Sequence, residues 1–401
     1  MDIYEIRQNS ITSQIFYNNE LTCPDNIGKF FPKQMGENAI NYKNRPKISV
    51  PITSAILNRI ANFTLKGLNV TSTDSSVNSY IQNGERLEDA RNIFVNSMVN
   101  GTQAIVYKIN PFTNKLVLEQ WGAEYLDIDP NFSNAIILEY IYCTEDMEIE
   151  PILCEDEKLE DDEILMRIVI DEMVMGGIQH NMPFAPFTLM KSLDFYPEMV
   201  QYSKPFPMRF EKLVMEYNKI LSQIVKNTTI LQNVWQVKGV QFENPQSPLR
   251  LDADTINYLP DGASLEQVLR NLDNKEEYNL LRTFKENISE ASQVPSQLIG
   301  LEDVGKIPSG VALQLLFSPL TELVGRFRPR LTKVIKDIIQ KSYYIEQGTL
   351  INTDSINVSY SNNIVPTDKT VDIALVKMAI ETGLINNEVA VIKLTNLIEG
   401  I

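Results

Sequence analysis

Ile52, Ile56, Ile60 and Phe63 recur at steps of four and three, so the stretch Ile48 to Leu68 (ISVPITSAILNRIANFTLKGL) is expected to be an amphipathic core helix with Gly67 as its C-cap. A second helix is expected over Leu87 to Asn100, stopped by Gly101. After it the period drops to two. QAIVYKI and KLVLEQW read as strands joined by a turn from Asn110 to Asn114, AIILEYIYC continues the strand pattern, and IVIDEMVM with Gly176 and Gly177 reads as a hairpin edge.

The helical period returns at Pro207. From there to Thr229, Phe210, Leu213, Val214, Tyr217, Leu221, Ile224 and Val225 form one stripe, with Pro205 and Pro207 setting the start. ILQNVWQVKGVQF, a proline-rich turn from Asn244 to Pro248, and LRLDADTINYLPDGA together read as a small β unit. A second long helix is expected from Ser264, frayed near Asn271 to Asn274 and ended by Pro295. A further helix, Ser318 to Lys341, carries Arg326, Arg330, Lys333, Asp337 and Lys341 near one face and Leu331, Val334, Ile335 and Ile338 on the other. Pro329 either kinks that helix or starts its main part. Two short helices, divided by Gly383 and Asn386-Asn387, are expected to close the chain. The pattern is that of an α+β protein, and 401 residues without an internal repeat or a Gly/Ser linker suit two or three tightly joined lobes.

Charge narrows the possible partners. At a formal charge of -16 the average surface repels free duplex DNA, which leaves DNA conceivable as a passing cargo and not as a gathered ligand. The acid is concentrated between Glu145 and Glu163, where Lys158 is the only basic residue; without a central Gly or EF-hand order, this run is expected to be a solvated hairpin tip and not a calcium loop. Cys23, Cys143 and Cys154 have no CxxC spacing, which suits a reducing compartment and offers no zinc site. The start, MDIYEIRQNS, has no basic region followed by an apolar run, and no segment approaches the ~18 apolar residues of a membrane span, so a cytosolic chain is expected.

Catalytic chemistry finds little to stand on. The single histidine, His180, lies in a loop-like IQHNMPFAP context without a fixed partner. No GxxxxGK[ST], GxGxxG, GxSxG or HExxH occurs. The carboxylate pairs Asp127/Asp129 and Asp252/Asp254 have a spacing common in ordinary strands and turns, so a carboxylate-dependent hydrolase is the weaker alternative. No catalytic residue, metal site or cofactor is expected.

Three stretches, taken in order, resemble the portal protein (head-tail connector) family of tailed bacteriophages. The first is NRPKISVPITSAILNRIANFTLKG, from Asn44 to Gly67; the second is AIVYKINP with WGAEYLDIDP, from Trp121 to Pro130. The third and strongest is ISEASQVPSQLIGLEDVGKIPSGVALQLLFSPLTELVGRFRPRL, from Ile288 to Leu331, where Val294-Pro295 ends a long helix and Ser309-Gly310-Val311-Ala312-Leu313 opens the next. Two departures stand out: the chain is short for the family, and the part after Gly348 is small, as in a reduced crown or a truncated chain.

The resemblance implies a ring of about twelve identical subunits at one capsid vertex of a virion, assembled in the host cytoplasm, through which double-stranded DNA passes without sequence specificity. Its implied partners are the large terminase, a head-completion or adaptor protein, and the major capsid and scaffolding proteins; no membrane is involved. Residues 1–204 would form the N-terminal part of the wing, 205–229 a stem helix, 230–263 the clip, 264–294 the second stem helix, 295–347 the tunnel loop and long wing helix, and 348–401 the crown. The tunnel loop would comprise Leu301, Glu302, Asp303, Val304, Gly305, Lys306, Ile307, Pro308 and Ser309, with Lys306 as the candidate DNA contact. Gly300, Gly305, Pro308 and Gly310 suit a loop that moves against DNA, and Ser309 suits an N-cap. Arg326, Arg328, Arg330 and Lys333 either contact phosphates or, as is favoured here, meet acidic residues of a neighbouring subunit. Another phage head structural or adaptor protein is the alternative, although the extended basic arm usual for a capsid subunit is missing.

Overall fold

The computed structural model describes residues 3–35, 39–83, 89–109, 116–128, 136–142, 150–158, 164–170, 173–180, 183–184, 187–230, 235–238, 264–267, 275–300 and 310–361. The chain divides into two units, one of Met1–Glu20, Pro51–Lys212 and Ile288–Ile401, the other of Leu21–Val50 and Leu213–Asn287. Helices and antiparallel strands are segregated, an α+β architecture.

The larger unit opens on a helix that hydrophobic patterning does not reveal, α1 (Ile3–Asn18). Its buried stripe runs Ile6, Ser10, Ser13, Phe16, at helical spacing but half hydroxyl, so its period is hidden from an apolar count. Ser10 and Gln14 donate to the Glu124 carboxylate, and Gln14 also donates to the Asn100 side-chain oxygen at 2.9 Å, tying α1 to the chain around both residues. In the smaller unit α2 (Pro24–Phe30) begins with proline at its first position, and α3 (Ala39–Asn44) follows.

Back in the larger unit, α4 (Ile52–Thr64) buries Ile52, Ile56 and Ile60, as the spacing predicts, and Leu57 with them; Phe63 is only half-buried, and the helix is capped by Leu65 and not by Gly67. Beyond Gly67, β1 (Asn69–Ser72) leads to α5 (Ser75–Asn83) and α6 (Ala90–Asn100), the latter capped by Gly101. Strands β2 (Thr102–Ile109) and β3 (Leu116–Gly122) pair as expected. A 3-10 turn at Ala123–Tyr125 then opens a five-stranded antiparallel meander: β4 (Leu126–Ile128), β5 (Ile136–Tyr142), β6 (Glu150–Lys158), β7 (Ile164–Ile170) and β8 (Met173–His180).

This meander corrects two expectations. The acidic run is not simply a hairpin tip, because Glu150–Lys158 is an inner strand hydrogen-bonded on both sides. A backbone ladder on each edge supports a strand whose acidic residues have poor strand propensity. His180 is not in a loop either; it ends β8 opposite Ile164.

Strand β9 (Phe187–Lys191) returns to pair with β2, giving the order β3-β2-β9. The chain turns through Tyr196 and Tyr202, both fully buried, whose hydroxyls are satisfied by Asn9 and by the Leu126 carbonyl. The helix expected from Pro207 starts later, since Phe206–Arg209 form a 3-10 turn under Pro205 and Pro207 before α7 (Glu211–Ile230) begins. Within the smaller unit, α7 holds residues 48–50: Asn218 and Ser222 side chains accept from the backbone N–H groups of Val50 and Ile48.

Strand β10 (Trp235–Lys238) pairs with β11 (Ser264–Gln267). The second long helix therefore does not start at Ser264. Residues 264–267 find cross-strand partners instead, and α8 (Lys275–Ser292) begins where Glu276 and Glu277 favour a helix N-terminus. After α8 the buried Val294 and Pro295 lead into a 3-10 turn at Ser296–Ile299, closed by left-handed Gly300.

The basic helix expected over Ser318 to Lys341 is the middle of a longer one, α9 (Gly310–Gln347), with Pro319 and Pro329 both inside it. Each proline denies a bond to the carbonyl four residues back, and both carbonyls, at Leu315 and Gly325, belong to solvent-exposed positions, where losing that bond costs least. Leu331, Val334, Ile335 and Ile338 are buried, as expected. The Phe327 ring meets Phe94 edge-on at 5.0 Å and Phe206 at 6.0 Å, which makes α9 the spine of the core. Strand β12 (Ile356–Ser359) pairs with β1. The two short C-terminal helices and the turns 110–114 and 244–248 lie outside the described residues.

Candidate functional site

A cleft of about 630 Å³ opens between β9, α9 and the segment at Pro183 and Phe184. Its walls follow from two periodicities. Alternation along β9 places Phe187, Leu189 and Lys191 on one face, and the 3.6-residue period of α9 stacks Arg330, Lys333, Asp337 and Lys341 along one stripe.

Lys341 lies deepest. Its ammonium donates to the Phe187 carbonyl and lies 5.5 Å from the Phe184 ring centre, 5.9 Å from Phe187 and 6.0 Å from Tyr107. Burial pulls its pKa down to about 8, and the Asp337 carboxylate only partly offsets that. Burial also raises Asp337, against the pull of Lys341 and Lys333. Lys191 is lowered first by burial and then by the charges of Arg330 and Lys333. The Arg330 guanidinium donates to the carbonyls of Ser192 and Leu193 and lies 5.1 Å above the Phe195 ring.

Four cations thus share the cleft with one carboxylate. The ion pairs of Arg209 with Asp194, Lys219 with Glu216 and Arg282 with Glu286 include no cleft cation. No group of His, Cys, Asp and Glu among the described residues could hold a metal ion, and no described helix is long and apolar enough to cross a membrane.

The site residues named from the sequence fall unevenly. Leu301 to Ser309, including Lys306, lie outside the described residues, as do Asp129, Asp252 and Asp254. Arg326 and Lys333 are exposed, Lys333 on the cleft wall. Arg328 points inward: it donates to the carbonyls of Thr64 and Phe63 at the end of α4 and to Ser361, with Tyr360 under its plane at 4.8 Å. Arg330 is likewise engaged within its own chain. The sequence reading missed Lys191 and the phenyl rings, because they meet α9 only after ~140 residues of intervening chain; the one legible signal was the helical spacing of Arg330, Lys333, Asp337 and Lys341.

No protein-family model and no curated protein matches the chain. Among solved structures it is similar to a chain from the virion of a native gene transfer agent particle, at 11% identity and TM-score 0.45, over 89% of this chain and 94% of that one. It is similar also to a chain from the neck of the empty particle with C6 symmetry, at 12% identity and TM-score 0.47, over 89% and 94%. A third, from the neck of the native particle with C12 symmetry, has 13% identity and TM-score 0.44, over 86% and 89%.

Proposed function

We propose that this chain is the subunit of a portal ring, a non-enzymatic conduit for DNA at one capsid vertex. The observation that carries the reading is the order of elements: α7, the β10–β11 pair, α8 and then α9 follow one another as stem helix, clip, stem helix and wing helix do in the resemblance. Around that order stand the quoted motifs, with Ala123–Tyr125 of the second forming the turn into β4 and Val294-Pro295 following the end of α8. On this reading α7 and α8 are the stem, residues 231–274 the clip, Leu301 to Ser309 the tunnel loop, and the residues from Gly348 the crown. The ring would have about twelve copies, meet the large terminase and a head-completion protein, and reside in the virion.

Native mass spectrometry of the full chain, together with negative-stain images, tests this. The expected result is a closed ring whose mass is a single large multiple of 45.7 kDa. A monomer or dimer that persists across the accessible concentration range overturns the reading, and an extended shell lattice would favour a capsid subunit instead.

A further inference from the structure

We propose that the cleft between β9 and α9 is a docking site for an acidic peptide segment of a partner protein, whose carboxylates bridge Lys191, Arg330 and Lys333. In a chain of net charge -16, where acids outnumber bases 52 to 36, three cations face one another here without an ion-paired carboxylate among the described residues. Mutual repulsion within such a group costs free energy in the unbound subunit, and a bound anion relieves it. Of the described acids nearby, Asp194 acts on Arg330 from a distance but is ion-paired to Arg209 at 2.6 Å, and Asp337 interacts with both Lys333 and Lys341. Arg330 is also held in place before any ligand arrives, by two carbonyls and the Phe195 ring, so little of its side-chain entropy remains to be lost on binding.

Shape and lining favour a peptide over nucleic acid. The cleft is concave, and its volume of about 630 Å³ falls within the size range of sites that enclose a small ligand or a few residues of chain, far less than a stretch of duplex occupies. Single strands bind through bases stacked on open aromatic faces. Here each phenyl ring already carries a cation: Phe184 and Phe187 that of Lys341, Phe195 that of Arg330. Pro183 and the ring edges remain as an apolar wall for side chains between the carboxylates.

The inference does not depend on the portal reading, and its test needs no assembled ring. The full chain is titrated into a fluorescein-labelled peptide EDEKLEDDE, the sequence of residues 155–163, and in parallel into a labelled single-stranded 15-nucleotide DNA, with anisotropy as the readout. The peptide is expected to bind, to weaken at least tenfold in the double variant Lys191→Ala/Lys333→Ala, and to be unaffected by the equally charge-changing Lys29→Ala/Lys33→Ala in the other unit. Unchanged thermal unfolding shows that the cleft variant is folded; if it is not, Lys333→Glu on the exposed wall replaces it with the same expectation. Absence of peptide binding, an equal loss in the control variant, or tighter binding of the DNA with the same dependence on Lys191 and Lys333 overturns the proposal.

Discussion

Gly101 shows how a single position joins two elements. Its φ of +79° ends α6 and turns directly into β2, and a Cβ there would meet the backbone of Ser203 and, at 2.7 Å, Pro205 N. Gly101→Ala therefore combines an unfavourable backbone conformation with a collision against main chain that cannot rotate away. A loss of about 3 kcal/mol or more is expected, read as a lower midpoint in urea unfolding. Lys341 makes a different residue-scale prediction. Its folded pKa of about 8 lies below the 10.5 of the unfolded chain, so between those values the unfolded chain binds more protons and stability rises with pH. Lys191, also lowered, adds in the same direction, while the raised Tyr107, Tyr196, Tyr217 and Tyr360 oppose it as the pH nears 10. Unfolding free energy should thus increase by roughly 1 to 2 kcal/mol from pH 8 to 9.5, and Lys341→Met should remove most of that slope.

At the scale of elements, the C-terminus of α4 is closed by a side chain 264 residues away in sequence. Arg328 supplies N–H donors to Thr64 and Phe63, whose carbonyls have no partner inside the helix, and a further one to Ser361. A planar fork reaches all three and an ammonium does not. Arg328→Met should cost about 2 to 3 kcal/mol, and Arg328→Lys should recover less than half of it in the same denaturant assay. This inward role was not legible from the sequence, where Arg326, Arg328, Arg330 and Lys333 look like one basic patch. What periodicity did show was a set of elements with apolar stripes, α4, α6, β2, β3 and the core side of α9, although it passed over α5 with its buried Val77 and Ile81 and β9 with its buried Phe187 and Met190. What it missed failed for identifiable reasons. The stripe of α1 contains two serines, β6 is an acidic strand held by ladders on both edges, and Ser264–Gln267 is a strand because residues 235–238 offer a partner that local propensity does not count. The cleft was half visible, as the charged stripe of α9, and its other wall needed the fold.

At the scale of the whole molecule, the tunnel-loop reading can be separated from the stability of the chain that flanks it. On one side, Val294 is fully buried and the 3-10 turn closes at left-handed Gly300. On the other, α9 is anchored by Phe317, Leu320, Leu323 and Val324, all buried within its first fifteen residues. Neither anchor includes any of residues 301–309, so removing Val304 to Pro308 leaves every described core contact in place. The shortened protein should unfold within about 1 kcal/mol of the parent and give the same oligomer mass. If residues 301–309 grip or guide DNA, particles assembled on that variant should nevertheless contain little packaged genome, measured as nuclease-protected DNA per particle. Full packaging by the variant would remove the tunnel loop while leaving the ring intact, whereas loss of the ring itself would assign these residues to assembly.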